Sequence, residues 1–308
     1  MRVLIVGCGY VGLPLGAELV RRGHEVFGLR RSAAAEDEMR AAGIRPLAGD
    51  VTQPETLAKL PRQFDWVVNC VAAGGGAENY RQIYLEGGRN LVSWLADSPP
   101  QKFVFTSSTS VYGQDDGSVV TETSSVEPEA ETSKVLVEVE NLLLDAARGT
   151  RGCPPHQFPA IILRVAGIYG PGRGHWFRQF LKNEARIEGD GSRWLNMIHR
   201  ADVVGGIIAA LERGSPGKIY NATDDEPVTQ LKFFEWLAAE LKRPLPPKIP
   251  AGAEIQRRHG ATNKRVSNAR LRTELKYDFQ FPDFRKGYGA EIQRLESPDR
   301  PDMEPETR

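Results

Sequence analysis

The stretch Val3-Leu4-Ile5-Val6-Gly7-Cys8-Gly9-Tyr10-Val11-Gly12-Leu13-Pro14-Leu15-Gly16 decides how the chain is read. Val3 to Val6 is a short apolar run of the kind buried on both faces of a parallel sheet, and glycines then interrupt it at the spacing G-x-G-x-x-G. That pattern predicts strand, tight turn and helix. Gly7 lets the chain turn, Gly9 lets backbone N–H groups approach a pyrophosphate, and Gly12 lets the helix lie close to the strand. The helix N-terminus itself attracts the anion. In a chain with 31 glycines such a spacing also arises by chance. Here an apolar strand precedes it, and an amphipathic stretch, Leu13 to Arg22, follows and ends at Gly23. The turn residues Gly7, Gly9, Tyr10, Val11 and Gly12 are therefore the first candidates for binding a dinucleotide.

A second predicted strand, Glu25 to Leu29, runs into Arg30-Arg31-Ser32. Arg30 lies about 18 residues past Gly12, where this fold places the group that reads the adenosine ribose. An Asp or Glu there would accept hydrogen bonds from a free 2'-hydroxyl and repel a 2'-phosphate. Arg30 and Arg31 instead offer two guanidinium groups able to pair with phosphate. The expected cofactor is NADP(H) in preference to NAD(H).

The 308 residues, 40% of them hydrophobic, suffice for a substantial core, as one large domain or two moderate ones. Forty basic and forty acidic side chains cancel, so no global field favours nucleic acid or an anionic membrane. The partner expected is a small-molecule substrate, with no nucleic acid and no membrane, and the composition admits a homodimer. Cys8, Cys70 and Cys153 are too few and too scattered for a disulfide framework and read as reduced thiols of a cytoplasmic protein. The N-terminal apolar run is short and broken by glycine, unlike a signal peptide, and no stretch approaches the ~18 apolar residues of a spanning helix.

Further along, strands and helices alternate. Predicted strands are Ile44 to Ala48, Trp66 to Val71, Lys102 to Thr106 and Ala160 to Val165; predicted helices are Pro54 to Leu60, Glu78 to Ala96 and Thr132 to Ala147. The rhythm predicts an α/β fold, a Rossmann-type doubly wound parallel sheet. Ligands of such a sheet lie at the carboxyl ends of its strands, where Gly7, Arg30, Asp50, Asn69 and Ser107 would emerge. Beyond Val165 come a glycine-rich turn (Gly167 to Gly174), a helix (His175 to Lys182), a loop (Glu188 to Arg193) and a strand (Leu195 to Ile198). A helix (Ala201 to Glu212), a strand (Lys218 to Asn221), a helix (Leu231 to Leu241) and a proline-rich crossing (Pro244 to Pro250) follow. A helical pair, Asn268 to Glu274 and Phe284 to Leu295, closes the pattern. The expected organisation is a dinucleotide-binding domain over 1–168, to which 199–225 returns, a smaller mixed cap from 169–198 and 226–295, and a disordered tail from 296 to 308.

These residues carry a resemblance. The stretches Gly7 to Gly12, Gly49-Asp50-Val51, Thr106-Ser107-Ser108-Thr109-Ser110-Val111-Tyr112-Gly113, Arg164 to Pro171, Gly189-Asp190-Gly191-Ser192 and Ile198-His199-Arg200-Ala201-Asp202-Val203 resemble the extended short-chain dehydrogenase/reductase superfamily. That superfamily contains NAD-dependent epimerases and dehydratases, and the T-S-S-T-S-V-Y-G run most resembles its atypical YeeZ-like branch. The resemblance covers residue 1 to about 225. It implies that Asp50 and Val51 contact the adenine, and that the segment Asn69 to Ala73, Ala72 included, lines the nicotinamide ribose. It also implies that Ser108 is the catalytic serine that orients a substrate oxygen. From the residues alone, Ser107, Ser108 and Ser110 clustered after an apolar strand also form a hydrogen-bonding floor.

Two departures stand against it. The family's Tyr-x-x-x-Lys pair, in which the lysine lowers the phenol's pKa from about 10, matches here at Lys134 and at Ala130. Alanine transfers no proton, and none of the eight tyrosines is followed four residues on by lysine. Where sugar-nucleotide enzymes of the group carry an arginine that grips the diphosphate, this chain has Leu195, with Arg193 two residues earlier as a substitute. Tyr169 and Tyr112 are aromatic candidates, the first for a pocket wall and the second for the core. Glu138 and Glu140 read as a solvated helix face, His199 as structural, and no His, Cys or carboxylate spacing resembles a metal site. Two readings remain: an NAD(P)-binding oxidoreductase or epimerase-like enzyme using Ser108 and Lys134 without the tyrosine, or a non-catalytic NADP(H)-binding sensor acting through a partner.

Overall fold

The computed structural model describes residues 1–32, 35–149, 158–250 and 262–296. Its strands are β1 (Arg2–Val6), β2 (Glu25–Arg30), β3 (Arg45–Ala48), β4 (Trp66–Asn69), β5 (Lys102–Ser108), β6 (Val119–Val120), β7 (Ala160–Val165), β8 (Gly167–Tyr169), β9 (Ile187–Glu188), β10 (Trp194–Leu195), β11 (Met197–His199), β12 (Ile219–Ala222), β13 (Val228–Thr229), β14 (Lys248–Ile249) and β15 (Arg265–Val266). Its helices are α1 (Gly12–Arg21), α2 (Glu36–Ala41), α3 (Pro54–Leu57), α4 (Ala77–Tyr80), α5 (Gly87–Leu95), α6 (Glu131–Arg148), α7 (His175–Leu181), α8 (Arg200–Arg213), α9 (Gln230–Glu240), α10 (Ala269–Leu275) and α11 (Phe284–Glu296). Seven strands form one parallel sheet in the order β12-β7-β5-β4-β1-β2-β3. The crossover helices cover both faces, which is why the central strands are apolar on both sides.

Leu15, Leu19, Val203, Ile207 and Leu271 pack on one face, and Leu91, Val135, Val139 and Leu143 on the other. A third core, built on Phe177, Phe180, Phe233, Phe234, Phe284 and Tyr288, fills the cap. Four two-stranded pairings stitch the second half together: β10 with β13, β11 with β8, β14 with β9 and β15 with β6. The β15–β6 pairing brings the segment before Arg265 beside the end of the central sheet. Asp202 at the start of α8 accepts from the Tyr277 hydroxyl and from the Gln280 and Phe281 amides, at 2.8, 2.7 and 2.9 Å, and so fastens the C-terminal segment.

Several elements differ from expectation. The helix expected from Glu78 to Ala96 is α4 and α5 joined by a π-helical turn, Arg81–Glu86, and Gly87 follows it because a Cβ there would meet Val51 Cγ2 at 2.8 Å. The strand expected over Leu195 to Ile198 is split at Asn196. Its amide side chain takes the hydrogen bonds of a strand neighbour, donating to Lys264 O at 2.8 Å and accepting from Val266 N at 2.7 Å. Helix α2 has no counterpart in the sequence reading, and β8 occupies the start of the expected glycine-rich turn. Residues 297–308, the greater part of the expected disordered tail, and Cys153 lie outside the described residues. Among the described residues no helix is long and apolar enough to cross a membrane.

Glu140 is the largest correction. It stands at 2% exposure, not on a solvated face, because it shares the buried side of α6 with Leu136, Val139 and Leu143. Glu138, on the opposite side, is exposed and pairs with Arg81. Glu140 Oε2 lies 2.6 Å from Arg164 Nη2, itself 3% exposed, and its Oε1 accepts from Ser107 Oγ at 2.6 Å. Arg164 Nη1 donates to the Tyr112 hydroxyl at 2.8 Å, which in turn donates to Asn221 Oδ1 at 2.8 Å. One polar chain thus ties α6, β7, the turn after β5 and β12 together inside an apolar core. Removing one partner strands the other charge. Glu140→Ala is expected to cost about 3 to 5 kcal/mol of unfolding free energy, measured by denaturant titration, and a loss under about 1 kcal/mol would contradict the role given to the pair.

Candidate functional site

Two adjoining cavities open at the carboxyl end of the sheet. The first, of about 450 Å³, is walled by Gly7, Gly9, Tyr10, Val11, Arg30, Arg31, Ser32, Asp50, Val51, Ala72 and Ser107, with Arg173 and Tyr84 among the others. Gly7 takes φ +88°, and a Cβ there would meet the Val71 backbone at 2.7 Å. A Cβ on Gly12 would lie 2.5 Å from Gly7 O, whereas nothing lies within 4 Å of the Cβ position of Gly9. Thus two glycines permit close packing and the third keeps the floor of the cleft open. The amides of Tyr10 and Val11, at the N-terminus of α1, donate to no acceptor among the described residues. Unsatisfied donors at a helix N-terminus, above a floor without side chains, fit the pyrophosphate of a dinucleotide.

The other positions named from sequence fall as follows. Arg30 ends β2 and Arg31 follows it at the rim, and neither has a carboxylate partner among the described residues. Asp50 lies in the wall with one oxygen committed to its own turn, accepting from Thr52 N at 2.9 Å and Thr52 Oγ1 at 2.8 Å. Gly12 and Asn69 pack behind the wall; Asn69 is buried and its Oδ1 accepts from Val71 N at 3.4 Å. Sequence reasoning missed Arg173, whose guanidinium lies 4.2 Å from the Tyr10 ring centre, although the Gly170-Pro171-Gly172-Arg173 turn was visible. Cys70 also faces this cleft, and burial pushes its thiol far above the ordinary range.

The second cavity, of about 370 Å³, is lined by Ser108, Ser110, Tyr169, Trp176, Arg193, Trp194 and Lys264, among others. It meets the first at Ile168, common to both walls, and at the consecutive pairs Ser107–Ser108 and Val165–Ala166. Ser108 Oγ accepts from Ser110 N at 3.1 Å, and Ser133 Oγ donates to Ser110 Oγ at 3.0 Å, so the serine turn is held rigidly to α6. Tyr112 lies in the core and in neither wall. His199 caps α8, its Nδ1 accepting from Ala201 N at 3.2 Å.

Ala130 and Lys134 stand apart from both cavities. Ala130 is the extended residue just before α6 rather than a residue of its first turn. Lys134 is exposed, and its Nζ donates to Glu131 at 2.6 Å. Lys264, by contrast, was not singled out from sequence and is delivered to the second cavity by the β15–β6 pairing. Its side chain is 4% exposed, and Nζ donates to Tyr112 O at 2.6 Å. Among the described residues no cluster of three or more His, Cys, Asp or Glu could hold a metal ion.

The sheet order, the glycine cradle and the free amides define a Rossmann-type dinucleotide-binding protein. A profile of the NAD dependent epimerase/dehydratase family matches residues 3–223, and the chain belongs to that family, whose members bind NAD(H)-type cofactors. Protein YeeZ of Escherichia coli K12 is 31% identical over 291 residues, spanning 92% of this chain and 97% of YeeZ. A solved protein of Methylobacillus flagellatus, assigned to the NAD-dependent epimerases/dehydratases, is 34% identical with a TM-score of 0.75 and covers 96% of this chain and 99% of its own. At 21% identity, a dTDP-glucose 4,6-dehydratase of Streptomyces venezuelae solved with NAD shares the fold, with a TM-score of 0.80 over 95% of this chain and 96% of its own.

Burial, reinforced by the neighbouring Arg193 charge, pulls the Lys264 amine down from 10.5 to about 8. The folded chain therefore holds this proton less tightly than the unfolded chain, and its contribution makes stability rise with pH between those two values. Acylation of Lys264 by an amine-selective reagent, followed by peptide mass spectrometry, is expected to be half-maximal near pH 8. Half-maximal labelling at the ordinary lysine value would show that the amine is solvated.

Proposed function

We propose that the chain is an NADP(H)-dependent oxidoreductase or epimerase-like enzyme that acts on a small molecule in the second cavity without the tyrosine its family uses. The observation that carries this reading is the pair Arg30 and Arg31 at the rim of the cofactor cleft, neither ion-paired to a carboxylate among the described residues, with no Asp or Glu at the end of β2 itself. The dinucleotide would be held by the Tyr10 and Val11 amides at its pyrophosphate, by Asp50 and Val51 at its adenine, and by Ala72 and Ser107 towards its nicotinamide. When bound it would supply hydride transfer. Ser108 would orient the substrate oxygen from the shared edge of the two cavities. The reading places the protein in the cytoplasm as a monomer or homodimer, with neither nucleic acid nor membrane as partner.

A second reading, an NADP(H)-binding protein without catalysis that acts through a partner, is favoured by Ala130 and by the exposed Glu131-bound position of Lys134. NADPH oxidation across a panel of small ketones and aldehydes separates the two. Cofactor choice is tested by calorimetry. Arg30→Ala with Arg31→Ala is expected to weaken NADPH binding by about 1.5 to 3 kcal/mol for each charge-assisted hydrogen bond removed, with NADH nearly unaffected. Equal or tighter binding of NADH by the unaltered protein would overturn the NADP(H) assignment.

A further inference from the structure

The second cavity holds positive charge that no carboxylate among the described residues balances. Arg193 and Lys264 are in its wall, and no Asp or Glu is among its lining residues. Arg193, half-buried, donates Nε to Thr262 O at 3.0 Å, and Lys264 donates to Tyr112 O at 2.6 Å. Neither has a carboxylate partner among the described residues. Two carbonyl dipoles are weak compensation for two desolvated cations that repel each other. Elsewhere this chain pairs its buried cation: Arg164 has Glu140 at 2.6 Å. The exception opens into a cavity.

The two side chains reach it from distant parts of the sequence. Arg193 precedes β10 and Lys264 precedes β15, and Asn196 fixes the two segments together by bonding Lys264 O and Val266 N. Leu195, where sugar-nucleotide relatives carry their diphosphate-gripping arginine, is an apolar residue at 5% exposure, so the cations of this wall are Arg193 and Lys264 instead. Trp176, Trp194 and Tyr169 supply flat walls, and about 370 Å³ is room for a metabolite-sized body.

We propose that the second cavity takes an acidic substrate whose carboxylate or phosphate sits between Arg193 and Lys264, with its reacting end at Ser108 beside the dinucleotide cleft. This rests on the enzyme reading above and names its substrate class. An ammonium and a guanidinium with spare donors make charge-assisted hydrogen bonds to either anion, and the site's vacant charge is satisfied only when the anion arrives. Such a group also fixes the orientation of the rest of the molecule.

The test is calorimetry or ligand-observed NMR at pH 7, with and without NADPH, using phenylacetate, phenyl phosphate, UDP and the neutral phenylacetamide as probes. At least one anion is expected to bind about tenfold or more tighter than phenylacetamide, and the ranking of the three tells carboxylate from phosphate. Lys264→Met and Arg193→Gln should each lower that anion's affinity about tenfold while phenylacetamide and NADPH binding stay unchanged, and Lys264→Arg should restore most of the loss. Equal binding of all probes, or anion binding that survives the Arg193→Gln, Lys264→Met double variant, would overturn the proposal. If an anion binds and NADPH does not, the enzyme reading falls and the anion site stands. If NADPH binds and no anion is preferred, the anion site falls alone.

Discussion

The ion pair between Glu140 and Arg164 is the constraint on which both cavities depend. It joins α6 to β7 inside the apolar core; Glu140 also holds Ser107 near the end of β5, and Arg164 also holds Tyr112 just beyond it. Ser107 is held by Glu140, and Tyr112 by Arg164 and Asn221, so the short turn between them is clamped at both ends. Ser108 and Ser110 sit within that span. A turn on the surface of a sheet would ordinarily be a mobile place to put chemistry; one fastened by a buried polar network is not. Lys264 joins the same system through the carbonyl of Tyr112, so the wall of the second cavity is positioned by the network that positions its floor.

The division of labour between the two halves follows from this. The parallel sheet delivers its ligand-facing residues at strand ends, as any doubly wound sheet does. The cap has no such edge to work from. It relies on short pairings, β15 with β6 and β10 with β13, and on one side chain, Asn196, that stands in for a missing strand. Their common product is a small chamber beside the serine turn, rich in aromatic surface and in positive charge that no described lining carboxylate compensates.

The dinucleotide half was legible because its signals are local. Strand, glycine spacing and helix are contiguous from Val3 to Arg22, and the residue after each strand is a neighbour in sequence of the strand that presents it. Glu140 was misread, although its signal was local too: it lies four residues from Leu136 and three from Leu143, on the apolar stripe of α6. A carboxylate on such a stripe asks for a buried cation, and Arg164, near the carboxyl end of an otherwise apolar strand, was its visible complement. Lys264 could not be read that way. Its place depends on a pairing between segments about 145 residues apart, Val119 and Arg265 among them, and two-residue strands carry no periodicity. Likewise Ala130 and Lys134 were assigned by resemblance, and only coordinates place Lys134 on the exposed side beside Glu131.

A crystal structure of the NADPH complex tests the central claim most directly. The predicted result has the 2'-phosphate between Arg30 and Arg31, the pyrophosphate on the Tyr10 and Val11 amides, and the nicotinamide at the junction of the two cavities beside Ser107, Ser108 and Ile168. A dinucleotide whose nicotinamide turns away from that junction, or whose 2'-phosphate touches neither arginine, would contradict it.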